Sequence, residues 1–183
     1  VMSRDYLLDN GSLPILKSNG DDTQVIINGL YPDAKPQLVT YNGADYLFYL
    51  DDQKDRGLED RTALVYRKEV NGVFGEPVII EDDKTGDFDY DVKAAEDGIY
   101  VLWQDGNKSL QGIATLEEAA EALTLSAAKV TDKGVTLLEG PDVTEGLAPI
   151  SPILVDAGEE VLACWYENSS NDLLQSGQGT SRF

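Results

Sequence analysis

The 183 residues include 34 Asp and Glu against 14 Lys and Arg, for a formal net charge of −20 and a pI near 4.1. Such a field repels nucleic-acid phosphates and anionic lipids, which excludes nucleic acid as a main partner. Histidine is absent and Cys164 is the single cysteine, so Ser–His and Cys–His dyads, an internal disulfide and an ordinary zinc site are excluded as well.

Short runs of Val, Ile, Leu, Tyr and Phe alternate with Gly, Asn and Asp turns, which predicts strands. In chain order these are Gln24–Asn28, Pro36–Tyr41, Asp45–Asp51, Thr62–Val70, Glu76–Glu81, Asp91–Ala95 and Gly98–Gln104. Ala127–Thr131, Val135–Glu139, Ser151–Asp156 and Glu160–Glu167 follow. Tyr41-Asn42-Gly43-Ala44 and Glu96-Asp97-Gly98-Ile99 read as tight hairpin turns. Thr115–Leu123 breaks the pattern: Thr115 with Glu118 fits a capping box, and Leu116, Ala119, Ala120 and Leu123 share one face, which predicts a short inserted helix. Cys164 lies in the apolar run Val161–Trp165 and is expected to be a small buried hydrophobe. No run approaches the ~20 apolar residues of a membrane span, so no membrane insertion is expected. The opening Val1-Met2-Ser3-Arg4-Asp5 has no leader pattern, and the sequence reads as a segment of a larger protein.

A repeat organises these elements. Pro36–Asp52, Tyr90–Gly106 and Pro152–Asn168 align without gaps, and an aromatic residue (Tyr49, Trp103 or Trp165) falls 13 positions after the start of each. An acid follows each aromatic two places on: Asp51, Asp105 and Glu167. Aromatics spaced 54 and 62 residues apart, on four-strand units, predict propeller-like blades. The expected fold is all-β: an incomplete β-propeller-like array of four-stranded antiparallel blades with one short inserted helix. Residues 1–30 form a partial blade, 31–85 a blade, 86–146 a blade with the helical insertion and 147–183 a partial blade. Closed propellers have ~4–8 blades. The missing neighbours are expected to be the remaining blades of the parent protein, a second chain or a homo-oligomeric copy.

Gly98–Asp105 and Val161–Asp172 resemble blade cores of sialidase-like, BNR-type β-propeller repeats found in extracellular proteins of gut Firmicutes. Asn71-Gly72-Val73-Phe74-Gly75-Glu76-Pro77-Val78 resembles their link into the outermost strand. The resemblance implies a propeller fold and an extracellular or cell-surface bacterial setting. It does not carry catalysis over: Arg56, Arg61, Arg67 and Arg182 match no arginine triad, and no Asp-box is present.

The remaining candidates are loops. Residues 51–60, 82–90 and 167–173 are the expected contact loops for a glycan or protein ligand, with Asp55, Arg56, Asp60, Tyr90, Tyr166, Asn168 and Asn171 as contact residues. Asp87, Asp89 and Asp91 alternate along the chain and would share one side of a strand, which makes them candidate ligands for Ca²⁺. Neither acidic loop follows the EF-hand spacing, and the bland alternative is a solvated turn. Tyr49, Trp103 and Trp165 are assigned to packing between blades. Asn168-Ser169-Ser170 fits the N-glycosylation pattern. The leading function is a non-catalytic extracellular binding or adhesion module. The alternative is a fragment of a propeller-type glycan-processing enzyme whose catalytic residues lie elsewhere.

Overall fold

The computed structural model describes residues 13–18, 20–30, 33–158, 160–169 and 181–182. The chain is built of antiparallel sheets that follow one another in sequence order. The first is a hairpin of β1 (Leu13–Ser18) and β2 (Thr23–Leu30). Sheet I runs in the order β3 (Gln37–Tyr41), β4 (Ala44–Asp52), β5 (Thr62–Val70), with β6 (Val73–Phe74) and β7 (Val78–Ile79) both on the outer side of β5. Sheet II is β8 (Asp87–Ala95), β9 (Gly98–Gly106), β10 (Leu123–Thr131) and β11 (Gly134–Leu138). Sheet III is β12 (Leu147–Asp156), β13 (Val161–Ser169) and β14 (Ser181–Arg182).

Local sequence accounts for the main boundaries. Asn42 and Gly43 both have positive φ (50° and 75°), the mirror-image turn that suits a two-residue hairpin. The turn joining β8 to β9 is centred one residue earlier than expected: Ala95 faces Gly98, and neither Glu96 nor Asp97 has positive φ. The expected outer strand Glu76–Glu81 is shortened to Val78–Ile79, and a separate short strand, Val73–Phe74, pairs with β5 ahead of it. Pro77, which has no N–H to give β5, falls in the gap between the two. One helix, α1 (Leu116–Glu121), is inserted between β9 and β10 as expected. The Thr115 hydroxyl accepts from the Glu118 N–H (3.1 Å), and the Glu118 carboxylate accepts in return from the Ala114 N–H (3.0 Å).

Sheets I, II and III pack face to face with a constant polarity. On sheet I, Tyr46, Phe48 and Leu50 are buried on the face that meets sheet II. Gln37, cross-strand from Phe48, donates its side-chain amide to the Tyr90 carbonyl of β8 (3.1 Å). The Tyr90 hydroxyl reaches back to the carbonyls of Phe48 (3.0 Å) and Lys35. Sheet II turns its other face to sheet III: the Asp91 carboxylate accepts from the Leu154 N–H (2.7 Å), and Gln104 donates to the Pro149 carbonyl.

The aromatic register holds in backbone terms. Gln37 faces Phe48 and Tyr90 faces Trp103, so Pro36 and Tyr90 stand in the same relation to Tyr49 and Trp103. Ile153 faces Cys164, which extends that relation to Pro152 and Trp165. Tyr49 and Trp103 are fully buried, whereas Trp165 is half-buried. The expectation for Cys164 fails: it is exposed, because no sheet among the described residues covers its face of β13.

Candidate functional site

Three connections meet at one end of sheets I and II. They are the β4–β5 loop with its 3-10 turn Leu58–Asp60, the β7–β8 loop, and the segment between β9 and α1. Buried charges tie them together. The Arg56 side chain is 5% exposed; it donates to the Thr85 carbonyl (2.8 Å) and to the Asp82 carboxylate (2.7 Å), joining the first two loops. The buried Asp60 carboxylate accepts from the Leu110 N–H (2.8 Å) and from the Ser109 hydroxyl, joining the first to the third. Gly57 and Gly86 sit at the close approaches: a Cβ at Gly86 would lie 2.8 Å from the Glu59 carbonyl oxygen.

Thr85 bridges Asp83 and Asp105 through its hydroxyl (2.8 and 3.2 Å). Asp105 and Asp87 are cross-strand partners on β9 and β8, and both are buried. Burial pushes the Asp87 carboxyl well above the ordinary aspartate range, and the nearby charges of Asp105 and Asp83 push the same way. Burial likewise raises Asp105, with Asp83 adding to it. Asp87 is spent on structure: it accepts from the Leu64 N–H of β5 (2.5 Å), while Ser126 donates to Asp105 (2.6 Å).

The expected Ca²⁺ set is not assembled. Asp87 goes to Leu64 on sheet I, Asp89 pairs with Lys35 (2.8 Å), and Asp91 accepts from Leu154 on sheet III. The cause is the slip in the β8–β9 pairing between Asp87 and Tyr90, which breaks the strict alternation that the expectation needed. Among the described residues, no group of three or more acidic or sulfur ligands is placed to hold a metal ion.

The expected contact residues separate into two classes. Asp55 is exposed at the tip of its loop and Tyr166 is exposed on β13. Arg56, Asp60, Tyr90 and Asn168 are not surface contacts: Arg56 and Asp60 brace loops, Tyr90 seals the interface of sheets I and II, and Asn168 is buried. Asn171 lies outside the described residues. Sequence reasoning missed Thr85, Ser109 and Asp82 as loop braces. The one available signal was the density of Asp, Ser and Thr, which favour short-range capping of loop backbone.

The three repeat acids fare differently. Asp51 is half-buried and its carboxyl is raised by that burial. Glu167 is buried and accepts from the Thr144 N–H and the Trp165 indole N–H, each at 3.1 Å. Tyr49 accepts from the Arg67 guanidinium through its hydroxyl (2.8 Å). The Trp103 indole N–H is buried without an acceptor among the described residues.

No family model matches the sequence, and no curated protein matches it. Among solved structures, the chain resembles an α-L-arabinofuranosidase from Lactobacillus brevis with a TM-score of 0.42 and 14% identity, over 88% of this chain. The chain spans 60% of that enzyme's length.

Proposed function

We propose that this chain is a non-catalytic binding module, extracellular or at the cell surface, on an incomplete propeller-like array in which sheets I, II and III are successive blades. The ligand is a glycan or a protein, held by the loop end of sheets I and II. The carrying observation is the bracing of three loops by the buried Arg56 and Asp60. A loop set fixed from below by charge-assisted bonds spends little conformational entropy on capturing a partner. Its rim exposes Lys54, Asp55, Asp82, Asp83 and Lys108. Opposite charges standing side by side suit a polar or zwitterionic ligand better than an apolar one.

The reading is tested by probing the purified chain on a glycan array and on a panel of immobilised extracellular-matrix proteins. Binding is expected to at least one probe. The double substitution Lys54→Ala with Asp55→Ala is expected to weaken it by about tenfold, or ~1.4 kcal/mol, with the fold unchanged. Failure to bind any probe, or binding indifferent to the substitutions, rejects the proposal.

A further inference from the structure

Asp87 of β8 and Asp105 of β9 stand opposite each other across the hairpin, each 4% exposed, at the end where Asp87 reaches sheet I. A carboxylate has room for about four hydrogen bonds, and neither group receives that many. Among the described residues, the Asp87 side chain accepts from the Leu64 N–H (2.5 Å). Asp105 accepts from the Ser126 hydroxyl (2.6 Å) and lies 3.2 Å from the Thr85 hydroxyl. Thr85 has a single hydroxyl proton, and both Asp83 oxygens are closer to it, at 2.8 Å. Each buried carboxyl therefore has one firm donor. Two carboxylates so poorly supplied would carry the desolvation cost of both charges. A hydrogen bond between Asp87 and Asp105 relieves the shortage, and such a bond needs one of the two to keep its proton.

The charges around the pair do not offset a second negative charge. Glu81 and Asp83 face it from the β7–β8 loop. Arg56, from the β4–β5 loop, acts on Asp87 as a cation, but it is bonded to Asp82, which Lys84 also holds. Asp52, at the end of β4, and Arg61, just ahead of β5, are paired with each other (2.6 Å). Glu59 and Asp60 approach through their backbone beside Gly86, and Lys108 through its carbonyl beside Gly106. β5 and β10 add uncharged groups: the Leu64 N–H, the Ser126 hydroxyl, and the Thr62 hydroxyl, which donates to the Asp87 carbonyl (2.5 Å).

We propose that Asp87 and Asp105 form a proton-set latch: one proton shared between them keeps β8 and the β7–β8 loop clamped to sheet I, and its loss frees this end of the interface. The clamp is the pair of bonds from Leu64 and Thr62 to Asp87. The latch is a property of the fold and stands apart from what the loops bind. Burial raises both carboxyls, so the folded chain holds protons that the unfolded chain releases above ~3.9. The stabilising contribution is therefore complete below that unfolded value and is lost as pH rises through the folded range. Histidine is absent, so no side chain of ordinary pKa changes charge between about pH 5 and 8, and the signal of the latch stands clear there.

Urea unfolding of the whole chain in steps from about pH 5 to about pH 9 tests this, with Asp105→Asn alongside. The wild type is expected to lose stability as pH rises. Asp105→Asn is expected to lose much less, because the amide cannot ionise and still offers an N–H to Asp87. Asp87→Asn is the reciprocal variant and should flatten the profile in the same way. Hydrogen exchange gives the local readout. Protection at the Leu64 amide, corrected for the intrinsic rate, is expected to drop about tenfold or more over that range in the wild type and to stay level in Asp105→Asn. The Leu154 amide, held by Asp91 toward sheet III, should keep its protection in both. A profile for either folded variant that runs parallel to the wild type overturns the latch, as does Leu64 protection that holds or rises toward high pH. Failure of both variants to fold even near the acid end overturns it too, since an amide then cannot replace the neutral acid.

Discussion

The interface between sheets I and II and the interface between sheets II and III are built from the same backbone plan and filled very differently. The first is aromatic. Tyr46, Phe48 and Leu50 from one side meet Tyr90, Val92 and Trp103 from the other, within one buried cluster that also takes in Ile27 and Leu30 of the hairpin. Tyr66 adds a ring 5.6 Å from Phe48. The second interface falls outside that cluster. Its buried apolar side chains include Leu102, Leu125 and Ala148, and its definite ties are polar: Asp91 to Leu154 and Gln104 to Pro149. Apolar burial scales with area, so the first interface stores more stability. The second depends on bonds that hold position while contributing little net energy. Sheet III is thus expected to open at a lower cost than sheets I and II.

The largest break in this comparison comes from the aromatic side. Phe48→Ala removes a fully buried ring from the middle of the first interface and is expected to cost about 3–5 kcal/mol in urea unfolding. A loss below ~1 kcal/mol would show that the aromatic cluster does not dominate the stability. The substitution leaves the ties to sheet III untouched, so a single transition should shift if the three sheets unfold as one unit, and two should be resolved if sheet III opens independently.

Asp91→Ala acts on the second interface alone. It leaves the Leu154 N–H without its acceptor, at an expected cost of about 1–3 kcal/mol. Exchange should accelerate across β12 while the amides of β4 and β5 keep their protection. Equal acceleration in sheet I would show that the two interfaces are not separable. Added Ca²⁺ should leave the wild type unchanged, because its Asp91 is engaged by the Leu154 amide.

Much of this plan is readable in the amino-acid order, and the gaps have physical causes. Thr62–Val70 reads as a strand from its β-branched and aromatic run, and the structure gives it the same ends. Asn42-Gly43 specifies its turn through positive φ, and Thr115 with Glu118 specifies the helix start. The aromatic register is legible because a cross-strand position is a one-dimensional property: equal spacing gives equal pairing. Burial is not one-dimensional. Val161–Trp165 reads as a strand covered on both faces, yet Leu162 and Cys164 are exposed. Composition states what a face could bury and leaves open whether a neighbour arrives. The loop acids mislead for the same reason. Asp60 and Asp87 are indistinguishable in sequence from the exposed Asp82 and Asp83, and their burial depends on Ser109, Leu110 and Leu64, which lie 49, 50 and 23 residues away. The hairpin strand Leu13–Ser18 escaped notice because Pro14 and Lys17 interrupt its apolar pattern.

The smallest expected effect lies at the edge of the first interface and sharpens the contrast between apolar and polar ties. Asp132, in the β10–β11 turn of sheet II, accepts from Lys68 (2.5 Å), Tyr46 (3.0 Å) and Asn42 (3.1 Å) of sheet I. The Lys68 bond, then those from Asn42 and Tyr46, hold its carboxyl down at about 2. A carboxyl depressed in the folded state stabilises above its unfolded value of ~3.9, and that contribution fades as pH falls toward the folded value. Asp132→Asn is therefore expected to match the wild type near pH 2 and to lie slightly below it from about pH 4 upward. Solvent and salt screen this exposed cluster, so the gap should shrink as ionic strength rises. A gap that persists unchanged at high salt would mean that Asp132 acts by fixing the turn geometry against Tyr46, and the edge would then belong with the packed interior it borders.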